Sequence, residues 1–182
     1  MATAVVLVTA GCQFGGEDPG AAVRGGQGTT AGASSVKPVP VSPAPPDRVL
    51  AKREAVSGEN KLEIAITLLA RQERLVTLNF TVSTTTDSTL GWQVGNFFAT
   101  SPDNDNGSVN GVYLIDPKNA KKHLVAYDSE QHCVCSANLG GQFVKPGGAA
   151  VLSATFAAPP PDVAAVDVYI PHAGMFKNVP IS

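Results

Sequence analysis

Apolar and polar residues alternate with a period of two along several short segments between Asp47 and Ser182. In KLEIAITLL and LVTLNFTVS the alternating apolar positions are Leu62, Ile64, Ile66 and Leu68, then Val76, Leu78, Phe80 and Val82. Because successive side chains of a β-strand point to opposite faces, each set is predicted to share one face of a sheet. The polar segment ARQER between them predicts a turn, so the two strands are expected to form a hairpin.

A helix is the alternative structure for the segment from Leu62 to Glu73. Its Leu, Ala, Arg, Gln and Glu residues have high helix propensity. Four aliphatic residues at alternating positions outweigh this propensity, because that spacing would scatter them around a helix. The pattern therefore favours a strand.

Similar signals continue to the end of the sequence. GVYLIDPKNAKKHLVAY predicts a second hairpin, in which the Pro presets a turn angle and the Asp and Asn can bond the local backbone. VKPGG and PPPD predict breaks before two further strands. The inward residues of those strands are predicted to be Ala150, Leu152, Ala154 and Phe156, then Val166, Val168 and Ile170. A first strand is expected at Arg48–Val56, and a final edge strand at Val179–Ile181.

Short strands at this spacing, without helical periods between them, are typical of two packed antiparallel sheets. The sequence therefore predicts an all-β fold, an antiparallel immunoglobulin-like β-sandwich of seven to nine strands over residues 47–182. Length agrees, since 182 residues suffice for one domain with a substantial core.

A family resemblance is carried by VYLIDPKNAKKHLVAYDSEQHCVCSANLGG and FVKPGGAAVLSATFAAPPPDVAAVDVYIP with a terminal VPIS. These runs resemble poorly characterised secreted domains of high-GC Gram-positive bacteria, which are similar to the telokin-like, immunoglobulin-like domains of bacterial lipoproteins. The resemblance covers roughly Asn60 to Ser182 and rests on strand-and-turn pattern. It implies an immunoglobulin-like fold and an exported setting, and it transfers no active-site residue.

The amino terminus combines a short apolar run, Ala4 to Ala10, with Gly11 and Cys12. A run of seven residues is too short to span a bilayer, but it matches the apolar part of a signal peptide, and small residues before a cysteine resemble a lipobox. Residues 1–12 are thus interpreted as a signal-peptide remnant with Cys12 as the lipidation site. Two features depart from the signal-peptide pattern: Thr9 stands where a lipobox has an aliphatic residue, and no Lys or Arg precedes the apolar run. The alternative is an ordinary apolar stretch with a chance cysteine.

Residues 13–46 contain mostly Gly, Ala, Ser, Thr and Pro. Such a composition cannot offset the entropy of ordering the chain, so a disordered linker is predicted. Its VKPVPVSPAPP part is expected to be extended, and a plain spacer is favoured there over a docking motif. With acylated Cys12, the domain would be anchored to the outer face of the cell membrane.

Thirteen basic and fifteen acidic residues leave a nearly neutral chain. This balance argues against a nucleic-acid partner, which selects a cationic surface.

No nucleophile elbow, zinc-protease helix, P-loop or dinucleotide fingerprint is present in the sequence. We therefore expect no enzyme and no cofactor. The expected function is a non-enzymatic binding or scaffold module with an unidentified protein or cell-envelope partner.

The segment His132-Cys133-Val134-Cys135 is the main candidate for chemistry. If Cys12 is lipidated, two cysteines remain, and an oxidising compartment favours a disulfide between Cys133 and Cys135. The pair is two residues apart, so a bond requires a local bend. Idle thiols are one alternative. The other is soft Cu(I) or Zn(II) held by His132, Cys133 and Cys135, with His123, His172 or Met175 as further ligands, or a thiol-redox role.

Two further segments suggest binding less strongly. Asp103 and Asp105 invite comparison with a calcium loop, but Ser108 stands where that loop requires Gly, so a solvated turn is favoured. The aromatic residues Trp92, Phe97 and Phe98 are expected to fill the core rather than to bind sugar. The segment with His172, Met175 and Phe176 is expected to cover one end of the sandwich.

Overall fold

The computed structural model describes residues 48–85, 91–100 and 105–182. The predictions for Cys12, for residues 1–12 and for the linker 13–46 lie outside these residues. The described strands are β1 Ala51–Ser57, β2 Asn60–Gln72, β3 Leu75–Thr84, β4 Trp92–Gln93, β5 Tyr113–Asp116, β6 Lys121–Leu124, β7 Phe143–Val144, β8 Ala149–Ala157, β9 Ala165–Ile170 and β10 Gly174–Pro180. Within these ranges the helical structure is one 3-10 turn, Leu139–Gly141. The predicted all-β class is confirmed, but the described residues contain ten strands instead of the seven to nine expected, because the two-residue strands β4 and β7 were not predicted.

The strands form three antiparallel sheets. The first has the order β1-β2-β3-β8, the second has the order β10-β9-β5-β6, and β4 pairs with β7 in a two-stranded sheet. Both predicted hairpins, β2-β3 and β5-β6, are present. The sequence did not predict the β4-β7 sheet, because two-residue strands carry no measurable alternation.

Hydrophobic side chains from both four-stranded sheets form one core. The predicted inward rows on β3, β8 and β9 are confirmed, because each of these residues is at most 6% exposed. The rows comprise Val76, Leu78, Phe80 and Val82, then Ala150, Leu152, Ala154 and Phe156, then Val166, Val168 and Ile170. Alternation therefore identified the interior faces of both sheets.

The predicted row on β2 is wrong at its last position. Leu62, Ile64 and Ile66 are buried, but Leu68 is 38% exposed and Leu69 is fully buried. Ile66 pairs with Phe80 and Leu68 pairs with Asn79, so β2 has one extra residue at this point. Such a bulge moves every later side chain to the opposite face of the sheet.

The predicted ARQER turn is also shorter than expected. β2 continues through Gln72, and only Glu73 and Arg74 form the turn. Glu73 adopts the left-handed region with φ 53°. Arg71 remains in the strand, where its guanidinium donates to Pro159 O at 2.6 Å and to Val163 O at 3.1 Å. Arg71, which was predicted to lie in the turn, is therefore a strand residue whose side chain is held by backbone carbonyls.

The β5-β6 turn follows the prediction closely. Asp116 is fully buried, and its Oδ1 accepts hydrogen bonds from the backbone N–H groups of Lys118 and Asn119 at 3.0 and 3.1 Å. Burial alone would raise the pKa of Asp116, but hydrogen bonds from Asn119 and Lys118 lower the pKa below its usual value. The carboxylate thus holds the turn together, as expected for Asp in this position.

The carboxyl-terminal segment that was expected to cover one end forms the β9-β10 hairpin. His172 lies in the turn after β9 with φ 63°, and Met175 and Phe176 belong to β10. Phe176 is 2% exposed and joins the core. β10 therefore starts well before the predicted Val179–Ile181 strand. A bulge between Phe176 and Val179 breaks the alternation that would have revealed the longer strand.

The aromatic cluster lies beside the β4-β7 sheet. Trp92 is 4% exposed and Phe98 is fully buried, which confirms their predicted place in the core. Phe97 is half-buried and packs edge-on against both rings, with centroid distances of 5.1 and 5.0 Å. The His172 ring stacks on Phe97 at 4.3 Å.

Candidate functional site at the disulfide loop

The segment Ala126–Ser136, here called the disulfide loop, lies along the outer edge of β8. The Ala126 N–H donates to Thr155 O at 2.8 Å, and the Thr155 N–H donates to Val134 O at 3.0 Å. The Ser136 N–H donates to Ser153 O at 2.8 Å. A strand edge without such partners is a template for pairing with another chain. The disulfide loop therefore covers the edge of β8.

The sulfur atoms of Cys133 and Cys135 lie at disulfide-bonding distance. Their Cα atoms are 5.2 Å apart, whereas two residues of a regular strand span about 6.6 Å. The expected local bend is therefore present. Val134 forms the tip of the bend and is 45% exposed, while both cysteines are half-buried.

Asp105 fixes the start of this bend from a distant part of the chain. Its side chain is 5% exposed, and its Oδ1 lies 2.7 Å from His132 Nδ1. Its Oδ2 accepts the backbone N–H of Cys133 at 3.1 Å. The expected solvated turn is therefore wrong for Asp105, because the carboxylate is buried against the disulfide loop. Asp103 lies outside the described residues.

Asp105 and His132 each stabilise the charged form of the other. Burial alone would raise the pKa of Asp105, but hydrogen bonds from His132 and from the Cys133 N–H lower the pKa below its usual range. The hydrogen bond to Asp105 and its negative charge raise the pKa of His132, and Asp128 and Glu130 add to the effect. The arrangement holds an imidazolium–carboxylate pair beside the disulfide.

Asp128 organises the loop from within. Its Oδ1 accepts the backbone N–H groups of Glu130 and His132, both at 2.9 Å. Gln131 lies between them with φ 66°. An Asp that bonds the N–H two residues later is a common turn signal, so the sequence could have indicated Asp128. It could not indicate Asp105 as the partner of His132, because 27 residues separate them.

The structure separates the remaining predicted metal ligands from the disulfide loop. His123 lies on β6, His172 lies in the β9-β10 turn and Met175 lies on β10. In residues 48–85, 91–100 and 105–182, no group of three or more His, Cys, Asp or Glu side chains could hold a metal ion. Bonded sulfurs provide no thiolate ligand, so a metal site at His132, Cys133 and Cys135 would require the reduced chain.

Comparison with protein-family models, with curated proteins and with solved structures gives no significant match to this chain. The described residues contain no helix that is both long and apolar enough to cross a bilayer.

Proposed function

We propose that this protein is an exported, lipid-anchored, non-enzymatic binding or scaffold module of immunoglobulin-like fold. The observation that carries the proposal is the Cys133–Cys135 pair at bonding distance within an ordered loop. Structural disulfides persist in oxidising compartments and are rare in the cytosol. The pair also leaves Cys12 as the third cysteine of the chain, available for acylation.

The strand order supports the immunoglobulin-like assignment. If β2, β3, β5, β6, β8, β9 and β10 are matched to strands A, B, C, C′, E, F and G, then A, B and E are neighbours in one sheet. C′, C, F and G are neighbours in the other sheet. Immunoglobulin-like sandwiches have the same neighbours, with strand D beside E. In this match the disulfide loop, which is hydrogen-bonded to β8, would correspond to D, and β1 would be an additional strand beyond A.

The predicted anchor and linker support a role in presentation. A single acyl chain gives only marginal membrane binding, whereas several chains on Cys12 would give a stable anchor. Residues 13–46 would place the domain on the order of 30 Å from the membrane if they behave as a flexible chain. An anchored sandwich on such a linker would present its loops and edges to protein or cell-envelope partners.

The test is the state of the amino terminus in a Gram-positive host that expresses the full chain. We expect mass spectrometry to find Cys12 as the first residue, carrying acyl chains, with the protein in the membrane fraction. Cys12→Ser should release the protein from that fraction, whereas the matched variant Cys133→Ser should leave it there. An unprocessed terminus, or membrane association that survives Cys12→Ser, would contradict the anchor.

A second candidate function is thiol-redox or copper and zinc handling at the disulfide loop. The observation that favours it is the position of His132, which contacts Asp105 and directly precedes Cys133. A nearby imidazolium stabilises a thiolate and makes it more reactive. Its test is the metal content of anaerobically purified protein, compared with the Cys133→Ser/Cys135→Ser variant. Stoichiometric metal that disappears in the variant would favour this candidate, whereas an intact bridge without metal would favour the binding module.

A further inference from the structure

A groove of about 510 Å³ lies between the β2-β3 turn, the end of β8 and the edge strand β6. One wall is the apolar run Ala157–Pro161. The basic side chains that line the groove are Arg71, Arg74, Lys121 and His123, and Glu73 is the single carboxylate. The groove thus combines an apolar wall with an excess of positive charge.

The charge of Arg71 is fixed in position without being neutralised. Its guanidinium donates to the backbone oxygens of Pro159, Pro160 and Val163 at 2.6, 3.3 and 3.1 Å. Carbonyl oxygens orient a guanidinium, but they carry no net charge. Arg71 therefore contributes a positive potential to the groove and also holds the proline wall against β2.

The other two permanent cations of the groove form no ion pair in the described part of the chain. The ion pairs found there are Lys52–Glu63, Lys118–Asp162, His132–Asp105 and Lys177–Asp167. Arg74 and Lys121 belong to none of these pairs. A concave surface with unpaired cations attracts anions, because its potential is not cancelled locally.

The basic side chains of β6 lie on two different surfaces. Lys121 and His123 line the groove, whereas Lys122 lies on the opposite face with its Nζ 3.7 Å from the centre of the Tyr113 ring. The Nε2 atom of His123 is buried and has no hydrogen-bond partner among the described protein groups. An unsatisfied buried nitrogen costs free energy, and a ligand oxygen that draws the ring into the groove would reduce that cost.

We infer that this groove binds a carboxylate attached to a small apolar body, such as the free carboxyl end of a peptide. The carboxylate lies against Arg74 and Lys121, and the apolar body packs on Ala157–Pro161. The inference deepens the proposed binding function by naming a ligand class, and in that respect it rests on the proposed function. Phosphate shares the charge but lacks the apolar part, so the two ligands are distinguishable.

The experiment is a titration of the full chain, in which the amide resonances are monitored by two-dimensional NMR. Three probes are compared: N-acetyl-dialanine with a free carboxylate, the same dipeptide as its amide, and inorganic phosphate. We expect the carboxylate to shift the amides of Lys121, His123, Ala157 and Ala158 at millimolar concentration, and the other two probes to shift them less. Equal shifts from the dipeptide amide would overturn the charge requirement, and equal shifts from phosphate would overturn the apolar requirement.

Matched variants locate the site. Because an exposed ion pair makes a small but measurable contribution to binding, Lys121→Gln and Arg74→Gln should each weaken dipeptide binding by about threefold to fivefold. Lys122→Gln removes the same charge from the other face of β6 and should leave binding within about twofold. If Lys122→Gln weakens binding as much as Lys121→Gln does, the site does not lie in this groove. Well-dispersed NMR spectra of all three variants exclude misfolding.

The outcomes separate this inference from the proposed function. If the protein is acylated at Cys12 but no probe shifts the groove amides, the assignment of the groove fails and the anchored module stands. If the groove binds the dipeptide while Cys12 is unmodified and the protein is cytosolic, the proposed setting fails and the groove stands.

Discussion

At the scale of single residues, the contact between Asp105 and His132 decides how the disulfide loop is held. Asp105 is buried and binds both the His132 ring and the Cys133 N–H. The lowered pKa of Asp105 and the raised pKa of His132 both favour the charged forms. Folding stability must therefore depend on pH through this pair.

The sign of that dependence follows from the two shifts. Below the ordinary imidazole pKa of about 6.5, the contribution of His132 is fully present, and it is lost as the pH rises through the raised pKa. The contribution of Asp105 is present above about pH 4 and is lost as the pH falls through the lowered pKa. We expect His132→Gln to lower the melting temperature more at pH 5.5 than at pH 9, as measured by calorimetry.

Asp105→Asn provides the matched control for this prediction. If the effect comes from the pair, the double variant should be barely less stable at pH 5.5 than the worse of the two single variants. Additive losses at pH 5.5, or an equal loss from His132→Gln at both pH values, would show that the ring acts through packing instead of charge.

Single residues could be predicted from the sequence where the hydrogen-bond partner is local. Asp116 bonds groups within three residues of itself, so the Asp-Pro-Lys-Asn pattern was sufficient to predict its turn. Asp105 and Arg71 bond groups that are distant in the sequence and are brought near by the fold. Nothing in the local pattern around either residue specifies such a partner.

At the scale of elements, the bulge in β2 predicts different effects on stability for substitutions of two adjacent leucines. Leu69 is fully buried and Leu68 is 38% exposed. Leu69→Ala should lower the free energy of unfolding by about 2–5 kcal/mol, because it leaves a cavity in the core. Leu68→Ala should change it by about 0.5 kcal/mol or less, since exposed positions are tolerant. Chemical denaturation of both variants measures the difference, and the reverse order would refute the bulge.

The disulfide loop gives a second prediction at this scale. Reduction, or the Cys133→Ser/Cys135→Ser variant, removes the disulfide bond that holds the bend and aligns Val134 with β8. The loss of stability should stay well below about 3 kcal/mol, because the loop closed by the bond is minimal. Hydrogen exchange should nevertheless become faster at the Thr155 amide, which donates to Val134 O. The Asn79 amide in the interior strand β3 is the control and should keep its protection.

Element boundaries were predictable only where alternation is unbroken. β3, β8 and β9 alternate regularly, and their buried faces were identified correctly. β2 and β10 each contain a bulge, and the predictions were wrong at Leu68 and at the start of β10. A single inserted residue changes the phase of a period-two pattern, and the sequence carries no mark of where that insertion occurs.

At the scale of the whole domain, one hydrophobic core joins both four-stranded sheets and includes Trp92 of the β4-β7 sheet. Arg71 adds a polar link, because a side chain on β2 binds the backbone that leads from β8 to β9. Elements that share a core cannot lose their partners independently, so the described domain should unfold as one cooperative unit.

Trp92 makes that cooperativity measurable, because it is the only tryptophan in the chain. Its fluorescence reports on the β4-β7 sheet, whereas circular dichroism reports on all of the strands. We expect the two denaturation curves to coincide, and Leu69→Ala in the first sheet and Val168→Ala in the second sheet to shift both curves together. Val151→Ala, at a 46% exposed position, is the control. A fluorescence transition at a lower denaturant concentration than the dichroism transition would mean that the β4-β7 sheet and its aromatic cluster detach before the two larger sheets unfold.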